Sequence, residues 1–329
     1  GLGMRMYTPI MSLSQHKVVV NGDGSLLSRP MHFFEDVLPK FQVAVKSENG
    51  FPPIAVSGPL RATEANIDGS LTSQFLTGLL IASSQCEGDT VLHVQDLKSH
   101  GYIDLTIEVL GKFGVVIDND DFKTFRIKGK QPLIPTELSV EGDWSGASFH
   151  LVAAAISGSA TFEYLQPNST QPDRCILEIL ELAGANVEWQ GDSLVVSKNE
   201  LNAFEFDLTN SPDLFPPVAA LAASCNGRTL LKGTSRLTHK ESDRANTIKE
   251  ELSKAGIQVS LSGDLMEIVG GEIKGGDLDS RNDHRIAMMA AILALNSSHP
   301  INISAYRAID KSYPAFFKDL QLLGVQCKH

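Results

Sequence analysis

The sequence predicts an α+β protein of two domains, each built from repeated units with buried helices. The chain has 329 residues, more than one ordinary hydrophobic core holds. An amphipathic helix that leads through a glycine into a short strand recurs along it, and segments that are apolar on nearly every face lie between the copies. Together these features favour pseudo-symmetric domains assembled from one repeated unit.

The repeated pattern ends each amphipathic helix at a glycine. Its copies read "IEVLGKFGVVI", "LEILELAGANVEW", "IKEELSKAGIQVS" and "FFKDLQLLGVQC", and a degenerate earlier copy is "FFEDVLPKFQVAV". The glycines, Gly114, Gly184, Gly256 and Gly324, are separated by 70, 72 and 68 residues. Each suits the left-handed position that closes a helix before the chain reverses.

The second helix type is rich in alanine and glycine and has no polar face. Its copies read "SQFLTGLLIASS", "SGASFHLVAAAISG", "LFPPVAALAASC" and "DHRIAMMAAILAL". Such helices are expected to be buried on all sides, with small residues that let neighbouring backbones approach closely. The polar stretch "TELSVEGDWSGAS" interrupts the repeats, so we place the two domains at residues 1–141 and 142–329.

The composition limits the kinds of molecule to which the protein can bind and the compartment in which we expect it. The net charge is −11, which argues against binding to nucleic acid or to an anionic membrane. The longest apolar runs are far shorter than the roughly 20 residues of a membrane span, and we see no signal peptide. The four cysteines form no CxxC pair and are expected to be buried free thiols in a reducing compartment. We therefore expect a cytoplasmic protein.

Polar residues stand at the N-termini of the apolar helices, in "IDGSLTSQ", "SPDLF" and "NDHR". A helix N-terminus offers unpaired N–H groups and a partial positive charge, so it can bind an anion. The hydroxyls of Ser70, Thr72 and Ser73 would add donors to a phosphate. Helix capping alone is the simpler explanation of these residue types, and the sequence leaves both open.

Basic residues crowd the start of a predicted helix in "RLTHKESDRANTIKEEL", residues 236–252. Thr238 and Glu241 fit a capping box, and Lys240 and Arg244 would repel each other from one helix face. With Arg236, they put positive charge where the helix dipole is already positive. The arrangement is unfavourable in an empty protein unless the charges are solvated on the surface. A multiply charged anion bound among them would make it favourable.

Three further basic residues share this placement. His284 and Arg285 precede an apolar helix, and Lys311 in "DKSYPAFF" precedes another. No GxGxxG after a strand, Walker-type GK[ST], HExxH or GxSxG motif is present, so the sequence gives no support for a nucleotide, a metal or a covalent serine mechanism.

Five segments together resemble the 5-enolpyruvylshikimate-3-phosphate synthase family. They are "IDGSLTSQFLTGLL", "SPDLFPPVAALAA", "RLTHKESDR", "NDHRIAMMAAILAL" and "DKSYPAFFKDLQLLG", in family order across the chain. The resemblance implies two inside-out α/β barrel domains of βαβαββ units, with helix N-termini from both facing a cleft. It implies transfer of the enolpyruvyl group of phosphoenolpyruvate to the 5-hydroxyl of shikimate 3-phosphate through a tetrahedral adduct. It also implies a monomer without metal, cofactor, nucleic acid or membrane partner.

The same resemblance assigns roles to individual residues. Asp213 corresponds to the carboxylate at the 5-hydroxyl, and its apolar neighbours in "PDLF" favour a raised pKa. Glu241 corresponds to the group that protonates the methylene carbon of phosphoenolpyruvate. The positions that match shikimate 3-phosphate contacts are Thr72, Ser73, Gln74, Ser99, Tyr102, Asp213, Arg236 and Lys240. Those that match phosphoenolpyruvate contacts are Gly1, Arg29, Gln74, Arg244, His284, Arg285 and Lys311.

Some features depart from the family pattern. Arg236 stands where many members carry asparagine, and Thr72 replaces a serine while keeping the hydroxyl. The family's opening segment, with a "GDKS"-type motif, would precede Gly1, so we expect the chain as given to be an N-terminally truncated first domain and nearly inactive. The alternatives are a UDP-N-acetylglucosamine enolpyruvyl transferase, an RNA 3′-phosphate cyclase fold, and a non-catalytic ligand-binding fragment.

Overall fold

The chain divides into two units with separate hydrophobic cores. The computed structural model describes residues 1–70, 72–238 and 240–328. The units are Gly1–Ser139 and Val140–His329, whereas the sequence places the boundary after residue 141. The core residues of the first unit run from Met4 to Ile127, and those of the second from Trp144 to Leu320.

The first unit contains two sheets with strand orders β1-β3-β2 and β4-β5-β7-β6. Its helices are α1 (Leu2–Met11), α2 (Phe33–Val37), α3 (Ser73–Gln85) and α4 (His100–Lys112). Its strands are β1 (Val18–Val20), β2 (Ala44–Glu48), β3 (Phe51–Ser57), β4 (Glu64–Asp68), β5 (Thr90–Gln95), β6 (Ile117–Asp120) and β7 (Thr124–Ile127).

The second unit contains three sheets with strand orders β8-β10-β9, β11-β12-β14-β13 and β15-β16. Its helices are α5 (Trp144–Ser157), α6 (Ile176–Leu182), α7 (Phe215–Ala223), α8 (Arg244–Lys254), α9 (His284–Leu293) and α10 (Phe316–Leu322). Its strands are β8 (Ser159–Phe162), β9 (Asn186–Gln190), β10 (Ser193–Ser197), β11 (Glu205–Asp207), β12 (Arg228–Lys232), β13 (Gln258–Ser262), β14 (Leu265–Val269), β15 (Gly276–Asp279) and β16 (Ile301–Ser304).

The repeat is confirmed as a βαβαββ unit. The segments β4 to β7 and β11 to β14 have the same strand order, in which the first strand pairs parallel with the second and the remaining pairs are antiparallel. In each copy one helix joins the two parallel strands and another follows the second of them. Consequently, both helices of a unit begin at the carboxyl ends of its parallel strands.

The glycines that end the amphipathic helices adopt the predicted left-handed conformation. Gly114, Gly184, Gly256 and Gly324 have φ angles of 84°, 93°, 90° and 93°. In the degenerate copy Gln42 takes this position instead, with φ at 61°. The periodic glycine therefore marks helix ends, as the sequence predicts.

The apolar helices are buried, as expected from their lack of a polar face. All nine residues of α7 are buried, and so is every residue of α9 except Arg285. In α3, Gly78 lies against the backbone of α1, where an added Cβ would come within 2.3 Å of the Met6 carbonyl oxygen. Among the described residues, no helix combines the length and apolar character that crossing a membrane would require.

The close approach of α1 and α3 makes Gly78 intolerant of a side chain. We expect Gly78→Ala to lower the free energy of unfolding by about 1–3 kcal/mol, because backbone rather than a flexible side chain must move. Gly111→Ala is the matched control, because Gly111 is an exposed residue of α4 with nothing within 4 Å of the added Cβ. The control should be neutral or stabilising by up to about 1 kcal/mol. Equal urea midpoints for the two variants would contradict the helix contact.

Candidate active site

The predicted site residues of the second unit follow the ends of parallel strands. β11 pairs parallel with β12, and β15 pairs parallel with β16. Asp213 follows β11, the segment 240–244 follows β12, His284 and Arg285 follow β15, and Lys311 follows β16. Ligands of α/β proteins commonly bind outside the carboxyl ends of strands, which is where these side chains lie.

Three cations converge on the carboxylate of Asp213. Lys240 Nζ lies 3.1 Å from Oδ1 and Arg244 Nη1 lies 2.9 Å from the same oxygen. Arg285 Nη2 donates to Oδ2 at 3.2 Å, and its Nη1 reaches the Asp213 carbonyl at 3.4 Å. The structure thus brings to Asp213 three cations that lie 27 to 72 positions further along the chain.

The prediction of a raised pKa for Asp213 is wrong. Burial by itself would raise this pKa, but the positive charges of Arg285, Lys240 and Arg244 hold it well below its ordinary value. The apolar neighbours in "PDLF" are local, whereas the three cations come from other segments. Asp213 is therefore a carboxylate at neutral pH.

Arg244 is the enclosed centre of the cluster, with no exposed surface on its side chain. Nε donates to Asp283 Oδ2 at 3.0 Å, and Nη2 lies 3.3 Å from Asp283 Oδ1 and 2.6 Å from Glu241 Oε2. The alternative of a solvated surface charge is therefore wrong for Arg244. The cations are also compensated by three carboxylates, so the expected cost in the empty protein is largely removed.

The sequence analysis missed Asp283. This side chain is fully buried, accepts a hydrogen bond from Ser242 Oγ at 3.1 Å and caps α9 by accepting from the Arg285 N–H at 3.0 Å. In the sequence, "NDHR" signals a cap, and that signal is correct. Nothing local shows that the same carboxylate also pairs with Arg244.

The segment around Lys240 differs from its predicted form. α8 begins only at Arg244 and is capped by Asp243, whose side chain accepts from the Asn246 N–H at 3.4 Å. Thr238 instead follows a 3-10 turn, so the predicted capping box with Glu241 is wrong. Lys240 precedes the helix, and rather than repelling Arg244 from one helix face it shares the Asp213 carboxylate with it.

The remaining predicted residues of this unit lie around the cluster. Burial lowers the pKa of Arg236, and the charge of Asp213 opposes the shift. His284 is the first residue of α9, and burial together with the charge of Arg285 lowers its pKa to about 4. Lys311 is exposed and donates to the Asn282 carbonyl at 2.7 Å, which ties it to the loop before α9.

In the first unit, the N-terminus of α3 carries three predicted residues. Thr72 caps the helix by accepting from the Gln74 N–H at 3.2 Å, and Ser73 is buried. Gln74 Oε1 accepts a hydrogen bond at 3.3 Å from Arg5 Nη1, a residue the sequence analysis did not single out. Thr72 therefore caps the helix, as the simpler explanation of its residue type predicts. Ser73 is the first residue of the helix and is not the capping residue.

Ser99 precedes α4, and Tyr102 lies in its first turn. Thr77, the fifth residue of α3, and Thr106, the seventh of α4, hydrogen-bond at 2.9 Å, so the two helices contact each other in their N-terminal halves. Ser99 is buried in the left-handed region, with φ at 57°, and its side chain makes no capping hydrogen bond. A non-glycine residue in this conformation is uncommon, and it marks the turn as a specialised one.

Gly1 and Arg29 are neighbours at the start of the unit. A Cβ added at Gly1 would lie 2.6 Å from Arg29 Nη1, and the Arg29 side chain is largely buried. Arg29 thus holds its guanidinium against the backbone of residue 1. Gly1 and Arg29, which are both predicted contacts of phosphoenolpyruvate, are therefore neighbours in the structure.

A comparison with known protein families finds one whose members match nearly the whole chain. The model of EPSP synthase (3-phosphoshikimate 1-carboxyvinyltransferase) matches residues 1–320. The chain belongs to the EPSP synthase family. A 3-phosphoshikimate 1-carboxyvinyltransferase of Aeropyrum pernix is 38% identical over 327 residues, covering 99% of this chain and 76% of that protein. One of Methanosarcina mazei is 36% identical, covering 100% of this chain and 78% of that protein.

Solved structures agree on the fold. The EPSP synthase of Acinetobacter baumannii superposes with a TM-score of 0.80 at 27% identity, covering 98% of this chain and 77% of that one. The enolpyruvyl transferase NikO of Streptomyces tendae gives a TM-score of 0.73 at 17% identity, which concerns the fold alone. The predicted fold class, with α/β units around buried helices, is confirmed by the EPSP synthase structures, although the described sheets are open.

Buried neutral histidines should make the stability of this EPSP synthase family member fall in acid. His284 and His150 both have a pKa lowered from 6.5 to about 4, chiefly by burial. Because the unfolded chain takes up their protons first, this stability is fully present above pH 6.5 and is lost as the pH falls towards 4. Each histidine contributes roughly 3 kcal/mol over that range.

Urea unfolding between pH 7.5 and 4 measures this effect. We expect His150→Leu and His284→Asn each to flatten the pH dependence of the unfolding free energy relative to the parent. Profiles for both variants that run parallel to the parent profile would show that these imidazoles do not titrate between the folded and unfolded states.

Proposed function

We propose that this chain carries the residues that transfer the enolpyruvyl group of phosphoenolpyruvate to the 5-hydroxyl of shikimate 3-phosphate, with release of phosphate. The observation that carries the proposal is the convergence of Lys240, Arg244 and Arg285 on Asp213 in a member of the EPSP synthase family. A carboxylate held among cations is suited to a reaction between two anionic substrates.

The cations of the second unit supply the site for phosphoenolpyruvate. Arg244 and Arg285 present planar guanidinium groups that suit bidentate binding of phosphate or carboxylate. Lys311 and the neutral His284 adjoin them at the start of α9, whose N–H groups add to the positive potential. Together these donors stabilise the charge that develops on the tetrahedral adduct.

Asp213 and Glu241 move the protons. Asp213 is ionised and accepts the proton of the 5-hydroxyl as the hydroxyl oxygen bonds to C2 of phosphoenolpyruvate. Glu241 takes up a proton from solvent when the substrate replaces it at Arg244, and it gives that proton to the methylene carbon. The product is the tetrahedral adduct. When the bond from C2 to the phosphate oxygen breaks, phosphate leaves with the proton that Asp213 accepted. The methyl carbon returns one proton to Glu241, which restores the enol ether double bond.

The first unit supplies the contacts to shikimate 3-phosphate. α3 and α4 contact each other in their N-terminal halves through Thr77 and Thr106, and Ser73 and Ser99 stand at the starts of these helices, where backbone N–H groups are available. Such an arrangement is suited to a phosphate. Thr72, Gln74 and Tyr102 complete this set. Arg236 and Lys240 are further residues proposed to bind shikimate 3-phosphate. Gly1 and Arg29 are proposed contacts to phosphoenolpyruvate.

Ligand binding tests the substrate assignment independently of turnover. A ligand at 100 times its dissociation constant stabilises the folded protein by about 2.7 kcal/mol. We expect thermal unfolding of the chain to shift upwards with shikimate 3-phosphate, and further when phosphoenolpyruvate is added. A shift with UDP-N-acetylglucosamine alone would favour the related sugar transferase, and no shift with any of these ligands would overturn the proposal.

Removing either proton-transfer group should abolish most turnover. We expect Asp213→Asn and Glu241→Gln each to lower the residual kcat of the chain by roughly 10²–10⁴-fold, the range for general acid–base groups. Phosphate release from both substrates measures the rate. Asp207→Asn is the matched control, because this exposed carboxylate pairs with Lys232 at 2.9 Å on the surface. A loss of the same size in the control would attribute the effect to folding.

A further inference from the structure

The guanidinium proposed to bind phosphoenolpyruvate is enclosed by carboxylates of the chain itself. The Arg244 side chain has no exposed surface, and carboxylates occupy its hydrogen-bonding edges. An arginine has five N–H donors. Four carboxylate contacts, from Asp213, Glu241 and both oxygens of Asp283, surround them. An incoming anion therefore reaches Arg244 only if a carboxylate withdraws.

The three carboxylates differ in their freedom to withdraw. Asp283 is fully buried, and it is held by Ser242 Oγ and by the backbone N–H of Arg285 at the start of α9. The side chains of Asp213 and Glu241 are 25% and 22% exposed. Asp283 faces the Nε edge of Arg244, whereas Asp213 and Glu241 face its terminal nitrogens.

We propose that Asp283 is a positioning residue that fixes the Nε edge of Arg244, and that Asp213 and Glu241 hold the place of the substrate anion on the opposite edge until it binds. The inference rests on the proposed function and deepens it, because these two carboxylates are the proposed proton-transfer groups. Exchange for phosphoenolpyruvate releases both from Arg244. The catalytic groups therefore become available only when the anion is in place.

The charges of the cluster fit such an exchange. Asp213, Glu241 and Asp283 balance Lys240, Arg244 and Arg285 in the empty protein. Carboxylate and phosphate oxygens are equivalent acceptors for a guanidinium, so the substrate replaces the hydrogen bonds that it displaces. Without Asp283, Arg244 would lose its buried partner and could turn fully towards Asp213 and Glu241, which compete with the anion.

The proposal predicts effects of opposite sign from two substitutions of the same kind. Asp213→Asn removes a competing negative charge, and we expect the affinity for inorganic phosphate and for phosphoenolpyruvate to rise by about tenfold. Glu241→Gln should act in the same direction. Asp283→Asn should weaken both affinities by about tenfold. Asparagine keeps the shape of the side chain and still caps a helix, so α9 is retained.

Titration calorimetry of the chain with phosphate, and then with phosphoenolpyruvate, measures these affinities. Glu251→Gln is the control, because this carboxylate is also fully buried, pairs with Lys254 at 2.8 Å and accepts from the Asp279 N–H. The control should leave both affinities unchanged. Asp283→Asn should also leave the affinity for shikimate 3-phosphate unchanged, whereas general misfolding would lower it.

Weaker phosphate binding by Asp213→Asn would overturn the proposal, since that carboxylate would then help to hold the anion. If circular dichroism shows that Asp283→Asn is unfolded, the proposal is decided by whether Asp213→Asn and Glu241→Gln raise or lower the affinity for phosphate.

The exchange and the proposed function can fail independently. If shikimate 3-phosphate stabilises the parent but the variants bind phosphate with unchanged affinity, the exchange alone is refuted. If Asp213→Asn and Asp283→Asn change the affinity in opposite directions but shikimate 3-phosphate does not stabilise the parent, the substrate assignment alone is refuted.

Discussion

The second unit depends on the burial of one guanidinium. A buried charge is tolerated only when it is paired and its hydrogen-bonding groups are satisfied, and Arg244 meets that condition through Asp213, Glu241 and Asp283. These partners follow three different strands, β11, β12 and β15. The ion pairs therefore hold three strand ends and the starts of α8 and α9 in one arrangement, and the same contacts set the electrostatics of the proposed site.

The repeat could be predicted from the sequence because its signals are local. A glycine in the left-handed region ends each amphipathic helix, and an all-apolar helix has no face to expose, so both features depend on a few consecutive residues. The parallel pairing of β11 with β12 and of β15 with β16 joins residues about 25 apart. Such pairing leaves no local pattern, and it is what gathers the site residues at shared strand ends.

The same distinction separates the correct site predictions from the wrong ones. Thr72 caps α3 as its residue type predicts, because a cap involves only the next few residues. The apolar sequence neighbours of Asp213 predict a raised pKa, whereas the charges of Arg285, Lys240 and Arg244 lower it. The second role of Asp283 is hidden from the sequence for a related reason. Its local role as a cap explained it fully, and its second role needs a partner 39 residues away.

The chemistry of this protein is therefore determined by its charged side chains and not by its fold alone. The NikO transferase shares the fold at only 17% identity, so parallel strands ending beside helix N-termini suit more than one sequence. The fold supplies backbone N–H donors and a positive potential wherever such helices begin. Selectivity for one substrate requires charged side chains at these helix N-termini. Each cation that is buried there in turn requires a carboxylate partner. In this chain two of those carboxylates are also the groups proposed to move protons, so compensating the empty site and activating it involve the same atoms.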